Sequence, residues 1–371
     1  MKDFKSISAA FKKIDFSQRK AALATVVKVR GSSYRSPGAR MLISDDGHWV
    51  GSISGGCLEG DALRKARKVM MDQMPMMVTY DTREKSNQNL GIGLGCNGVI
   101  DVLIEPIDPS SDSNPIQIID RLTGHEEPIA LATVFSGSAV GQKIALKGNQ
   151  VITQSVEDKK LSQNILIDLE HTIQSGKSEA KSYGDGIEVF LEVIQPTISL
   201  LIFGGGFDAR PVSEMAKTLG WNVSITDECV AHIAPVFFPN ADQLTLCQRN
   251  FIDREFHITA YTACVLMSHN YEYDRDVLKK IIGTPTPYIG ILGPRKRFDK
   301  MLDELSNEGI HFKIEDHQRI HSPIGLDIGA ETPQEIALSI IGEINGKFSG
   351  RSGSFLKDRT GPIHARGETD D

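Results

Sequence analysis

Two segments about a hundred residues apart carry the same strand sequence, and this repetition limits the fold more than any other feature. Residues 22–27 read ALATVV and residues 130–135 read ALATVF. Farther on, GARMLISDDGHWV (38–50) aligns with GQKIALKGNQV (141–151), and VIDVLIEPI (99–107) with IEVFLEVI (187–194). The offset falls from 108 to 103, to 101 and then to about 87 residues, which describes one succession of strands whose loops shorten in the second copy. Copies at about 20–107 and 128–195 thus imply an N-terminal α+β domain over residues 1–195. The first copy has RGSSYRSP, SISGGCLEGD and GIGLGCNG, with Arg30, Arg35, Cys57 and Cys96, and the second has none of these segments. Strands are retained for packing, while chemistry concentrates in loops on a shared scaffold.

The remaining pattern predicts the elements around this repeat. Residues 1–15 read as an amphipathic helix with Phe4, Ile7, Ala10, Phe11 and Ile14 on one face, and its scattered charges do not suit a signal peptide. Helices are expected over LEGDALRKARKVMMDQM, IQIIDRLT and DKKLSQNILIDLEHTIQS. At 196 the pattern changes. ISLLIFGGGFDARPVSEMAKTLGWNVSITD reads as strand, glycine turn, helix and strand, opening a C-terminal Rossmann-like domain with a parallel sheet over 196–345. A final helix is announced by Thr332 and Glu335 as a capping box with Pro333 at its first position. The polar, Gly-rich segment 346–371 is expected to be a flexible tail. The fold class is therefore α/β.

Composition narrows the functional classes. A net charge of −7 disfavours nucleic acid as the main partner, and no apolar run approaches the length of a membrane span. Five scattered cysteines suit a reducing, cytoplasmic setting better than a disulfide framework.

Two constellations carry chemistry. In SISGGCLEGD, Gly55 and Gly56 leave space beside Cys57, which precedes a helix starting at about Leu58; a thiol at a helix N-terminus gains thiolate character. Arg35 and Arg40 stand nearby as anion clamps, and the second copy keeps only Lys143 at the Arg40 position. GLGCNG around Cys96 is a weaker version of the same arrangement. In the C-terminal domain, Gly204, Gly206 and Ala209 match GxGxxA, with Asp227 closing the next strand where a ribose hydroxyl would bind. His269, with Asp274 beyond it, and Arg295 with Arg297 lie at other strand ends, where ligands of such sheets converge. Cys229, Cys247 and Cys264 read as structural, and no CxxC pair suggests zinc. The methionines of MMDQMPMM read as core filling.

Together, GSSYRSPGARMLI, GSISGGCLEGD, LGIGLGCNGVIDVLIEP, LLIFGGGFDARPV, VLMSHNYEYD, YIGILGPRKR and SPIGLDIGAETPQEIALSI resemble the XdhC/CoxI family of maturation factors for molybdenum hydroxylases, over about 20–345. The resemblance implies a cytoplasmic, non-catalytic chaperone that binds and protects the molybdenum cofactor, as molybdopterin or its dinucleotide. It implies help to a cysteine desulfurase in adding the sulfido ligand, then insertion into a xanthine dehydrogenase-type enzyme. By that analogy Gly55, Gly56, Cys57, Glu59 and Cys96 are candidate cofactor contacts, with Cys57 a candidate molybdenum ligand. The chain departs from the family where Phe207 and Glu228 stand in place of the usual histidine and arginine. A homodimer would let one chain's Cys57 loop face the other's Rossmann edge. Two other readings stay open on the residues: an NAD(P)-binding oxidoreductase built on the GxGxxA turn and Asp227, and a sulfurtransferase carrying a persulfide on Cys57.

Overall fold

A computed structural model of the chain describes residues 2–83, 98–111 and 114–360. The chain divides near Pro196 into two compact units, the second being Thr197–Arg359. No helix among the described residues is long and apolar enough to cross a membrane.

The first unit is one architecture built twice. After α1 (Lys2–Phe11), the first copy runs β1 (Ala21–Gly31), β2 (Arg40–Ser44), β3 (Trp49–Gly51), α2 (Glu59–Asp72), β4 (Met76–Asp81) and β5 (Gly98–Pro106). After α3 (Pro115–Arg121), the second runs β6 (Ile129–Ser136), β7 (Lys143–Lys147), β8 (Gln150–Gln154), α4 (Lys159–Ser175), β9 (Glu179–Ser182) and β10 (Glu188–Ile194). Each copy is a five-stranded antiparallel sheet, in the orders β3-β2-β1-β5-β4 and β8-β7-β6-β10-β9. Strand alternation sorts the side chains between two faces. Ala22, Ala24 and Val26 pack under α2, whereas Leu23 meets Leu131 in a different cluster and Val27 meets Phe135 and Phe190. Ala130, Ala132 and Val134 pack under α4 in the same way. The result is four layers, helix–sheet–sheet–helix.

Two buried ion pairs cross between the sheets and exchange copies. Arg40 at the start of β2 grips Glu192 of β10 at 2.9 and 2.5 Å, and Lys143 at the start of β7 binds Glu105 of β5. Each cation also donates to the carbonyl of the glycine two residues before it, Gly38 or Gly141. All four side chains are less than a tenth exposed. Gly38 is dictated by this contact, because a Cβ there would sit 2.6 Å from Glu192 Oε1 and its φ is +91°.

The copies also correct the expectation of simple loop removal. The offset of 103 residues relating Arg40 to Lys143 also relates Ser52 to Ser155 and Leu58 to Leu161. Ser52 N donates to Arg40 O as Ser155 N does to Lys143 O. The turn before the helix is therefore kept in length and rewritten in sequence.

The second unit contains β11 (Ser199–Phe203), α5 (Ala209–Thr218), β12 (Asn222–Asp227), β13 (Gln243–Leu246), α6 (Ile252–Glu255), β14 (Thr262–Leu266), α7 (Tyr271–Ile281), β15 (Tyr288–Ile291), α8 (Arg295–Asn307), α9 (Ile314–His317), β16 (Ile320–His321) and α10 (Pro333–Phe348). Its six strands are all parallel, ordered β13-β12-β11-β14-β15-β16. Helices α5 and α10 cover one face, α7 and α8 the other. Such two-sided cover explains the unbroken apolar strands. Thr332 and Glu335 form the capping box, and α10 continues past Gly346 to Phe348. Arg351 N then donates to Gly346 O at the start of the segment expected as a tail. Residues 361–371 of that tail lie outside the described residues. The N-terminal helix is shorter than residues 1–15, ending at Phe11.

Candidate functional site

In the first copy, β3 ends at Gly51 and the chain turns through Ser52–Leu58 before α2 begins at Glu59. Gly55 and Gly56 take φ of +105° and +120°, a course that side-chain-bearing residues avoid. Cys57 follows them and is exposed. The Tyr34 ring lies over Gly55, where a Cβ would approach it to 2.7 Å, whereas Gly56 faces open space. Arg35 reaches the same turn by donating from Nε to Ser52 O at 3.3 Å.

The turn closes on the Glu59 carboxylate. Oε1 accepts from Ser52 Oγ (2.7 Å) and from the backbone N–H of Ile53, Ser54 and Gly55 (3.2, 3.0 and 3.3 Å). Oε2 accepts from Ser54 Oγ (2.5 Å) and from the N–H of Gly56 and Leu58 (2.9 and 3.1 Å). Burial opposes the charge, but these hydroxyls and amides outweigh it and hold the carboxyl at a pKa of about 2. Glu59 is only 4% exposed, so its oxygens are occupied inside the protein. Glu59, expected as a cofactor contact, is here bonded to its own turn.

Arg40 was expected as a second contact, an anion clamp. Its guanidinium is sealed between the sheets on Glu192, stacks over Phe4 at 4.8 Å, and does not stand open as an anion clamp. Arg30 pairs with Asp101 at 3.0 Å. Cys96 lies outside the described residues. Beside the corresponding corner of the second copy is a cavity of about 370 Å³, where Gly141, Ser155 and Glu157 meet Glu105, Asp108 and several prolines, and its lining includes no thiol.

In the second unit, the glycine turn after β11 is pressed from two sides. A Cβ at Gly204 would meet Ser268 backbone at 2.4 Å, and one at Gly205 would meet His232 O at 2.5 Å; Gly206 has only His269 Cδ2 nearby, at 3.7 Å. Asp227 accepts from Gly205 N (2.9 Å), Cys229 N (2.8 Å) and His232 Nδ1 (3.0 Å). The acid expected to meet a ribose hydroxyl thus braces the turn itself. His269, at a left-handed φ of +59°, bonds through Nε2 to Asp208 at 3.1 Å. It does not pair with Asp274, which is fully buried and held by Ser268 Oγ (2.6 Å) and Arg297 Nη2 (2.8 Å). Burial pushes the Asp274 carboxyl up, against those bonds. Arg297 is committed there, which removes it from a phosphate clamp. Arg295 is well exposed at the start of α8, 3.9 Å from Asp299. Cys247 and Cys264 are buried, but Cys229 is exposed, contrary to its structural reading.

Comparison with known proteins assigns both units. A family model described as the XdhC and CoxI family matches residues 17–81, and one described as the XdhC Rossmann domain matches residues 200–344. A Bacillus subtilis protein, named for a probable subunit of xanthine dehydrogenase, is 30% identical over 88% of this chain and 93% of its own length. The chain belongs to the XdhC/CoxI family. Escherichia coli PaoD, named a molybdenum cofactor insertion chaperone, is 22% identical over 88% of this chain and 83% of its own. The solved structure of a protein titled a xanthine dehydrogenase, from Bacillus halodurans, superposes with a TM-score of 0.76 at 28% identity, covering 95% of this chain and 97% of that one.

In this XdhC/CoxI-family chain, Arg35, Gly55, Gly56, Cys57 and Glu59 come together at one turn of the first unit. Gly204, Gly206, Asp227 and His269 surround one turn of the second. Sequence reasoning missed Tyr34, His232 and Asp208. Tyr34 sits inside RGSSYRSP, and an aromatic residue among glycines and arginines was its available signal. His232 and Asp208 gave none, since their roles depend on where the chain returns. Among the described residues, no group of three or more His, Cys, Asp or Glu is placed to hold a metal ion.

Proposed function

We propose that this protein is a chaperone for the molybdenum cofactor, holding it as cargo for delivery to a xanthine dehydrogenase-type molybdenum hydroxylase. The observation that carries the reading is Cys57, exposed on a left-handed Gly55–Gly56 turn that only one repeat copy possesses. Molybdenum is thiophilic, so an exposed cysteine sulfur offers one soft, exchangeable contact. Open backbone at Gly56 leaves room for a bulky pterin, and Arg35 and Tyr34 stand beside it as a cation and a stacking face. A carrier needs to hold and release, which this arrangement suits better than an array of proton donors. The likeness to a relative named for cofactor insertion supports the same reading.

The proposal extends to a cytoplasmic setting, a homodimer, and receipt of sulfur from a cysteine desulfurase while the cofactor is held. The test is the molybdenum and pterin retained per chain after mixing apo-protein with cofactor and desalting. Wild type is expected to retain both and Cys57→Ala to lose most, at unchanged circular dichroism; equal retention would remove Cys57 from the site.

Exposure of Cys57 also favours a second reading, a persulfide carrier. There the Cys57 thiolate takes the outer sulfur of the desulfurase persulfide and the desulfurase thiolate leaves. Mass spectrometry after incubation with desulfurase and cysteine decides it, through a one-sulfur adduct on Cys57 or none. The oxidoreductase alternative has less support, because His269 and Asp274 do not pair and Asp227 is engaged by its own turn.

A further inference from the structure

The Ser52–Leu58 turn is a backbone nest with an anion already in it. Five N–H groups and two hydroxyls converge on one carboxylate, the arrangement by which proteins bind phosphate or sulfate. Here the anion is Glu59, from the first turn of the helix that the nest precedes. The usual device, a side chain at the cap position, is absent: Leu58 makes no side-chain cap bond. Gly55 and Gly56 cannot hold such a turn by themselves, since glycine is the residue with the most backbone freedom to lose.

We infer that Glu59 is the positioning residue for Cys57, the resident anion whose bonds to Ile53, Ser54, Gly55, Gly56 and Leu58 fix the turn that presents the sulfur. Two consequences follow. An external phosphate does not enter this nest while Glu59 fills it, so an anionic group of the cargo lies outside it, on the side of Arg35. Loss of the carboxylate takes the shared acceptor from five amides, of which the Gly55 and Leu58 N–H keep only the Ser52 and Ser54 hydroxyls, and the turn loses its course without any change to the α2 core at Ala62, Ala66 and Val69.

What Cys57 does rests on the proposed function; how it is held does not, and the experiment separates the two. Glu59→Ala and the near-isosteric Glu59→Gln are compared with wild type by amide hydrogen exchange and by the rate of Cys57 alkylation with iodoacetamide. Each is measured with and without added sodium formate. Exchange at residues 53–58 is expected to accelerate about tenfold or more in both variants, while exchange at residues 62–69 stays put. The Cys57 alkylation rate is expected to shift, and formate to return it toward wild type in Glu59→Ala but not in Glu59→Gln, where the amide fills the nest. A residue that merely stabilised the fold would not respond to a small carboxylate in this way.

Unchanged exchange at residues 53–58 in Glu59→Gln overturns the inference even if Glu59→Ala fails to fold. An unchanged alkylation rate in both variants overturns it too. If the formate rescue holds and Cys57→Ala retains cofactor normally, Glu59 still positions Cys57 and it is the function given to Cys57 that fails.

Discussion

The two copies of the repeated sheet enter their helices differently, though the chain spends the same number of residues doing so. In the second copy Asp158 stands at the cap, accepts from Leu161 N at 2.8 Å, and the helix starts at once with Lys159. In the first copy the residue at that register is Gly55. Of the next three residues, the counterparts of the second helix's first turn, Gly56 and Cys57 are unrolled into an exposed loop while Leu58 stays buried, as Leu161 does. Glu59, which replaces the second copy's Ser162, closes the opened turn from beneath; Ser162 instead accepts from Gln154 at 2.9 Å. A standard helix start has been exchanged for a presented thiol, at one site and not its twin. The difference separates scaffold from site by the protein's own internal control.

What the copies share predicts the largest effects. Glu192 and Glu105 each neutralise a buried cation of the opposite copy, and removing one partner of a buried pair costs about 3–5 kcal/mol. Glu192→Ala is expected to lower the urea midpoint more than Glu105→Ala. Arg40 loses a two-pronged partner and keeps a planar group with five donors, whereas Lys143 loses a single contact. Equal losses would show that the copies are energetically equivalent as well as topologically so. No loss at Glu192 would remove the crossed pairs from any role in holding the sheets together.

Substitution of the glycines that the copies do not share comes next in size. Gly55→Ala meets both a left-handed backbone and the Tyr34 ring, and is expected to cost about 1–3 kcal/mol. Gly56→Ala meets the backbone constraint alone and is expected to cost about 1 kcal/mol. Thermal unfolding ranks the two, and a larger effect at Gly56 would mean that Tyr34 does not pack on the turn.

Much of the scaffold was legible in the sequence because period-two apolar strands repeat whatever the loops between them do. ALATVV and ALATVF are the same strand facing α2 and α4. The crossed pairs were half visible: Lys143 aligns with Arg40, and both LIEPI and FLEVI contain a glutamate, but nothing local says that each cation reaches into the other copy. Arg40 follows a polar loop in the sequence, while strand pairing carries it into the sandwich. At the site, Gly55-Gly56-Cys57 before a helix was readable as exposed sulfur chemistry. Glu59 was readable only as an acid in a first helical turn, since an acid pointing outward to a ligand and one folded back on its own amides have the same sequence. The brace at Asp227 was hidden for a similar reason: the strand-end acid and the glycine turn were each visible, and their bond to one another was not.

The smallest expected effect falls on the copy without the thiol and gives the sharpest control. Asp158→Ala deletes an ordinary N-cap, whose loss costs about 1 kcal/mol. The Asp158 carboxylate caps the start of α4, and the proposed function gives the second copy no contact with the cargo. The variant is therefore expected to unfold slightly earlier while retaining molybdenum and pterin at the wild-type level after desalting. That pairing matters, because it shows that modest loosening of this unit does not by itself release the cargo. A fall in retention with Asp158→Ala would mean that the two helix entries act together, and losses seen on changing Gly55, Cys57 or Glu59 could then no longer be assigned to the first-copy turn alone.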